Sequence, residues 1–189
     1  MIALTQFLAA AVIVVSTLWI LASRRLRLAI LGLLAQFAAA NALSATLVPR
    51  NELMLLGAAA LASSATLYVV AQDNAFGEDP GWRIWPAIGL SAAGTALAFR
   101  VFASPEVEPY LQLSAFWLLA SGLGILFTAR TAVRLALGAL VMLTGTELVL
   151  RFDGEAHLGL TVVFAWTEVV LTLVGAFLVV NQRALEEPP

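Results

Sequence analysis

The sequence contains no cysteine and no lysine, and its only histidine is His157. The lack of cysteine excludes a disulfide, an iron–sulfur cluster and a thiolate metal site built from this chain. A single histidine excludes a bis-histidine haem and argues against a histidine-based zinc protease. Without lysine, a Schiff base to retinal cannot form. We therefore expect no catalytic residue, no metal site and no cofactor in this chain.

Charged residues are also scarce. They make up 12% of the 189 residues, whereas 61% are hydrophobic. A soluble domain is nearer one quarter charged and one half apolar, so this composition favours a membrane protein. Seven spans of about 20 residues would use about 140 residues. Within this sequence there is then no room for a soluble catalytic domain.

Apolar runs separated by polar breaks predict an all-α fold, a polytopic bundle of about seven transmembrane helices. The predicted spans are residues 2–22, 28–48, 53–71, 84–103, 110–129, 132–150 and 159–180. Arg24, Arg25 and Arg27 follow the first span, and arginine-rich loops are retained in the cytoplasm. This pattern predicts an N-terminus outside and a C-terminus, with the tail 184–189, in the cytoplasm.

An internal repeat is one interpretation of the helical pattern. Residues 25–47 resemble residues 132–154 in their Arg-Leu start and in the spacing of small residues. Two parallel three-helix units would result, the first within residues 1–71 and the second formed by the last three spans. Any two helices rich in alanine and leucine look alike, so the alternative of no repeat stays open.

Glu168 is the strongest candidate for function. It lies 11 residues after His157 and 15 before Arg183, so about 16–22 Å of helix separates it from either flank. A charge at this depth costs at least about 2.5–3.5 kcal/mol, and such residues usually serve ion pathways. Its helix face carries small and hydroxylic residues, namely Thr161, Ala165, Thr172 and Gly175. The alternative is a permanently protonated glutamate that hydrogen-bonds a neighbouring helix.

Glu147 is a second candidate, with a competing explanation. It lies 13 residues after Arg134 but only four before Arg151. Thr144, Glu147 and Arg151 share one helix face, and a Glu–Arg pair at this spacing is ordinary helix electrostatics. If Glu147 instead serves the same path as Glu168, it lies about 8–10 Å nearer the outside by helix rise, and bridging waters are required.

The last two predicted spans resemble a known family. Residues 130–150 and 164–183 resemble the last two helices of the K subunit of respiratory complex I. The seven-span length is similar to membrane component E of formate-hydrogenlyase-type nickel–iron hydrogenases, which has a K-like unit at its C-terminal end. The matching features are Arg130 and Arg134, Gly138, Gly145, the Leu-Val-Leu at 148–150, and the pair Thr167–Glu168.

The resemblance implies a division of the chain and a setting for it. Residues 1–129 would hold the first five helices, and residues 130–183 would be a K-like helix pair. The family's acid in the sixth span falls at the position of Leu143, whereas this chain has Glu147 one turn further on. The resemblance therefore carries over Glu168 by position and Glu147 only in kind. It also implies a subunit without redox cofactors, placed between antiporter-like subunits and the rest of a membrane arm.

Taken together, we predict a non-catalytic membrane subunit of a complex I-like proton-translocating oxidoreductase assembly. The expected location is the prokaryotic plasma (inner) membrane, with the lipid bilayer and other membrane subunits as partners and no nucleic acid or small-molecule substrate. The predicted proton path consists of Glu168, Glu147, Thr144, Thr161 and Thr172. Two alternatives are a subunit of a multi-subunit cation/proton antiporter and a purely structural scaffold of the membrane arm. The sequence leaves the choice between H⁺ and Na⁺ open.

Overall fold

The computed structural model describes residues 2–45, 47–71, 81, 84–152 and 158–186, with side chains between residues 4 and 181. Within these ranges the chain forms seven helices and no strand. They are α1 (Ile2–Ala22), α2 (Leu26–Ser44), α3 (Arg50–Val70), α4 (Ile84–Phe102), α5 (Pro109–Thr128), α6 (Ala132–Leu150) and α7 (Leu158–Glu186). Each is long and apolar enough to cross a membrane, which confirms the prediction of an all-α bundle compatible with a multi-pass membrane protein.

Some predicted features lie outside the described residues. His157 and the end of the tail, 187–189, belong to this group, and of Arg183 only the backbone is described.

The helix boundaries differ from the prediction by up to six residues, at the end of α7, and the difference that bears on the site is at the start of α3. The sequence pattern predicts that this span starts at residue 53, whereas the helix starts at Arg50, directly after Pro49. Proline is tolerated at a helix start because the first N–H groups have no partner within the helix. An acidic residue in the first turn interacts favourably with the helix dipole. The difference moves Glu52 from a predicted loop into the first turn of α3.

The helices form two groups, α1–α3 and α4–α7, that meet along four helix contacts. In chain order, α1 packs on α2 and α2 on α3, while α4 packs on α5, α5 on α6 and α6 on α7. The groups meet where α1 contacts α4 and α5, α2 contacts α6 and α3 contacts α7. The pairs α1–α5, α2–α6 and α3–α7 are those that the predicted repeat would make equivalent, and the repeat itself stays a prediction.

Glycines bring α5 and α6 into close contact. A Cβ atom at Gly122 would lie 2.7 Å from the backbone nitrogen of Met142, and one at Gly145 would lie 2.8 Å from that of Leu119. Helices in lipid associate through such close backbone approach, because lipid provides no hydrophobic driving force between them. The small residues of these two helices therefore have a packing role.

The outer surface of the bundle is apolar. Large side chains such as Trp85, Leu97, Phe102, Phe127 and Phe177 are exposed. Buried positions, in contrast, include many polar residues, among them Thr17, Gln36, Ser91, Ser121 and Glu168. A soluble protein rarely exposes such large apolar surfaces, whereas a surface that faces lipid does.

Candidate functional site between helices α3 and α7

The predicted polar stripe of α7 is a buried face of this helix. Thr161, Ala165, Glu168 and Thr172 are each at most 6% exposed. Further along the same face, a Cβ atom at Gly175 would lie 2.5 Å from the Cβ of Ala136 in α6 and 3.9 Å from a methyl group of Leu67 in α3. The stripe is therefore turned towards α3 and α6.

Glu168 lies in a small polar cluster within this interface. Its side chain is 5% exposed, and the Ser63 hydroxyl of α3 approaches its carboxyl group. This approach falls short of a well-formed hydrogen bond. Among the described residues, Glu168 Oε1, Ser63 Oγ and Thr172 Oγ1 are buried and have no hydrogen-bond partner. We refer to Ser63, Glu168 and Thr172 as the Glu168 cluster.

Unpartnered buried oxygens are unusual, because an unmade hydrogen bond costs about 1–3 kcal/mol. Such groups mark a site where a proton or a water molecule can bind. The Glu168 cluster combines one titratable group with two hydroxyls, and each hydroxyl can both donate and accept. This combination is suited to passing protons.

Glu147 has a different environment. Its Oε1 accepts a hydrogen bond of 2.5 Å from Arg151, and the two side chains are 16% and 8% exposed. The Thr144 hydroxyl donates to the carbonyl of Leu140 on its own helix at 2.9 Å. The structure thus contains the ion pair expected from the i,i+4 spacing. Glu147 is on α6, which packs against α7, the helix that carries Glu168.

The contact of Gly175 with Ala136 sets the register of the antiparallel helices α6 and α7. In this register, position 143 lies level with Glu168, and Glu147 lies four residues nearer the C-terminal end of α6. Four residues correspond to about 6 Å of helix rise, which is less than the 8–10 Å expected from the sequence. An acid at the position of Leu143, where the resembling family has its acid in the sixth span, would lie at the same depth as Glu168.

Glu52 is a buried carboxyl group that the sequence analysis missed. It is 4% exposed, and its Oε2 accepts a hydrogen bond of 2.6 Å from the Thr161 hydroxyl of α7. Thr161 was predicted to serve the path at Glu168, but its hydroxyl is bound to Glu52. A carboxylic acid three residues after a proline, at the start of a span, is the only sequence signal that could have identified it.

Three apolar side chains lie between the two carboxyl groups of this interface. Leu56 and Ala59 of α3 pack against Ala165 of α7. Along α7, Glu168 lies seven residues after Thr161, the partner of Glu52, which corresponds to about 10 Å. Glu52 and Glu168 are therefore two separate sites along one helix interface.

Arg134 is a second residue whose structural role the sequence analysis missed. It is 4% exposed, and its guanidinium donates hydrogen bonds to the carbonyls of Ser23 at 2.6 Å and Leu21 at 3.5 Å. These carbonyls lie at the C-terminal end of α1, where cations are favourable. The arginine that the family resemblance places at the start of α6 thus caps α1.

Comparison with known proteins identified no relative of this chain. No protein-family model, no curated protein and no solved structure matches this chain. In the part of the chain that the structure describes, no group of three or more histidines or acidic residues is arranged to hold a metal ion. Fold and site therefore define a class: a bundle of membrane-compatible helices with a buried glutamate at a parallel helix interface.

Proposed function

We propose that this chain is a non-catalytic membrane subunit of a complex I-like proton-translocating assembly, and that Glu168 belongs to its proton path. The observation that carries the proposal is the position of the Glu168 carboxyl group. It is buried in the middle of α7, and its Oε1 has no hydrogen-bond partner among the described residues.

This observation favours a proton site over a purely structural glutamate. A glutamate kept only to hold two helices together would use its carboxyl group in interhelical hydrogen bonds. The Glu168 cluster instead leaves oxygens of Glu168, Ser63 and Thr172 without partners within the described chain. Ionisable residues at membrane depth are costly and are retained chiefly along ion pathways.

The proposed setting comes from the sequence. The resemblance of residues 130–183 to the K subunit of complex I supports a place beside antiporter-like subunits. The distribution of arginines supports an N-terminus outside and a C-terminus in the cytoplasm of a prokaryotic plasma membrane. The antiporter alternative would use the same glutamate, and the set of partner proteins distinguishes it.

The purely structural alternative also has an observation in its favour. Glu147 is engaged in an ion pair with Arg151, so one of the two candidate acids has a sufficient structural role. We therefore assign the proton path to Glu168 and assign Glu147 to the ion pair with Arg151.

The test uses the assembly as it copurifies with a tagged copy of this chain. A large antiporter-like subunit together with a nickel–iron hydrogenase module supports the proposed family. In proteoliposomes of this assembly, Glu168→Gln should abolish ion pumping without loss of subunits. Glu106→Gln, the same change at an exposed loop position, should pump like the wild type. Normal pumping by an intact Glu168→Gln assembly would favour the structural scaffold.

A further inference from the structure

We infer that Glu52 is a second proton-binding group of the same path, and that it exchanges protons with Glu168 across the apolar cluster of Leu56, Ala59 and Ala165. The inference rests on the proposed function, because it assumes that Glu168 is loaded and unloaded with protons. It adds a residue from α3, a helix that the family resemblance does not cover.

Glu52 is a buried acid at the start of a helix. Its side chain is 4% exposed, and acidic residues are almost never this buried unless they are paired. Its partner in the structure is a hydroxyl, that of Thr161, and within the described residues no cation forms an ion pair with it. Glu52 lies in the first turn of α3, where the helix dipole stabilises an anion.

Glu52 and Glu168 share the interface between α3 and α7. α3 and α7 run parallel, since Glu52 contacts Thr161 near both N-termini and Leu67 lies beside Gly175 further along. A proton that leaves Glu52 along this interface reaches Glu168 and the hydroxyls of its cluster next. The transfer converts protonated Glu52 and ionised Glu168 into ionised Glu52 and protonated Glu168, with no other reactant.

The barrier between Glu52 and Glu168 is apolar and consists mostly of small side chains. About 10 Å of helix rise is too far for direct transfer between carboxyl groups, so water must enter. Two of the three intervening residues are alanines. An open apolar groove of about 350 Å³ lies on the outer side of this contact, lined by Leu55, Ala58, Ala59, Ala62, Val162, Ala165, Trp166 and Val169. Because the side chains between the two carboxyl groups are mostly small, a small separation of α3 from α7 would admit water between them, and closure would exclude it.

A structural clamp is the competing explanation, in which Glu52 only ties α3 to Thr161. Two substitutions distinguish the explanations. Glu52→Gln keeps the size and the carbonyl oxygen that accepts from Thr161, but cannot carry a proton between sites. Glu52→Asp keeps the carboxyl group, but is one methylene too short for the same hydrogen bond. Proton exchange requires a carboxyl group at position 52, whereas a clamp requires a side chain long enough to reach the Thr161 hydroxyl.

The experiment measures proton pumping in proteoliposomes of the copurified assembly. We expect Glu52→Gln to lose about tenfold or more in pumping rate, Glu52→Asp to retain more than Glu52→Gln, and Glu106→Gln to match the wild type. Wild-type pumping by Glu52→Gln, beside a loss in Glu168→Gln, would overturn the inference and leave the proposed function standing. Better pumping by Glu52→Gln than by Glu52→Asp would establish the clamp. Normal pumping by Glu168→Gln would overturn the proposed function itself.

A second measurement requires no variant to assemble. A hydrophobic carbodiimide reacts with protonated carboxyl groups in apolar surroundings, and mass spectrometry of the full-length chain locates the adduct. We expect adducts at both Glu52 and Glu168 in native membranes. An adduct at Glu168 with none at Glu52, over the whole pH range in which the assembly is active, would contradict the exchange.

Discussion

At Glu147, a carboxylate oxygen lies 2.5 Å from a guanidinium nitrogen of Arg151, whereas no cation forms an ion pair with Glu168 within the described part of the chain. This contrast separates two residues that have similar sequence surroundings. A charge paired over one helical turn stabilises the end of α6. A carboxyl group without such a partner is free to change its protonation state at little structural cost.

The Glu147–Arg151 pair leads to a prediction about stability. Glu147→Gln leaves the buried Arg151 without its counter-ion, and breaking a buried pair costs about 3–5 kcal/mol. Because the Glu147 side chain is 16% exposed, we expect a loss near the lower end of this range. Thermal unfolding of the purified chain in detergent, followed by tryptophan fluorescence, measures it.

The double variant Glu147→Gln/Arg151→Gln is the matched control for this prediction. It removes both charges, so we expect it to recover part of the lost stability. An unchanged unfolding temperature for Glu147→Gln alone would show that the pair contributes nothing.

Glu168 and Glu52 differ in how far the sequence alone could predict their place in the site. The depth of Glu168 follows from counting residues between polar flanks, and its burial on a hydroxylic stripe was expected. Glu52 could not be identified in this way. Its burial depends on Thr161, 109 residues later in the chain, and hydrophobic periodicity carries no information about which helices become neighbours.

At the scale of helices, the α5–α6 contact depends on glycine. A Cβ atom at Gly145 would meet backbone and side-chain atoms of Leu118 and Leu119 at 2.8–3.0 Å. The sequence is rich in small residues, which permit close contact between helices in lipid. It could not show that Gly145, a position shared with the K-like pattern, packs on α5.

We therefore predict that Gly145→Ala lowers the unfolding temperature in detergent, because overpacking of this kind costs about 1–3 kcal/mol. Gly89→Ala in α4 is the control, since nothing lies within 4 Å of the added Cβ atom. Alanine is the better helix former by about 1 kcal/mol, so this control should be neutral or slightly stabilising. Equal effects of the two variants would contradict the close contact between α5 and α6.

At the scale of the whole molecule, seven long apolar runs predicted seven helices, and seven are present in the described residues. Length and hydrophobicity decide this number, so the sequence is sufficient for it. The parallel orientation of α3 and α7 follows from the alternating direction of successive spans. The grouping of the helices and the contact of α3 with α7 depend on side-chain packing across the bundle and could not be predicted from the order of the spans.

The orientation in the membrane is a prediction at this scale, and the absence of cysteine makes it easy to test. Single cysteines at the exposed positions Ala22 and Ala103 would lie at opposite ends of the bundle. With the N-terminus outside, a membrane-impermeant maleimide added to intact cells should label Ala103→Cys and not Ala22→Cys. Both should react after permeabilisation. The reverse pattern would place the N-terminus in the cytoplasm.

The central claim is that Glu168 binds the transported proton, and the rate of proton pumping tests it most directly. In proteoliposomes of the copurified assembly, this rate should fall by about tenfold or more in Glu168→Gln and stay at the wild-type value in Glu106→Gln. A wild-type pumping rate in an intact Glu168→Gln assembly would contradict the account.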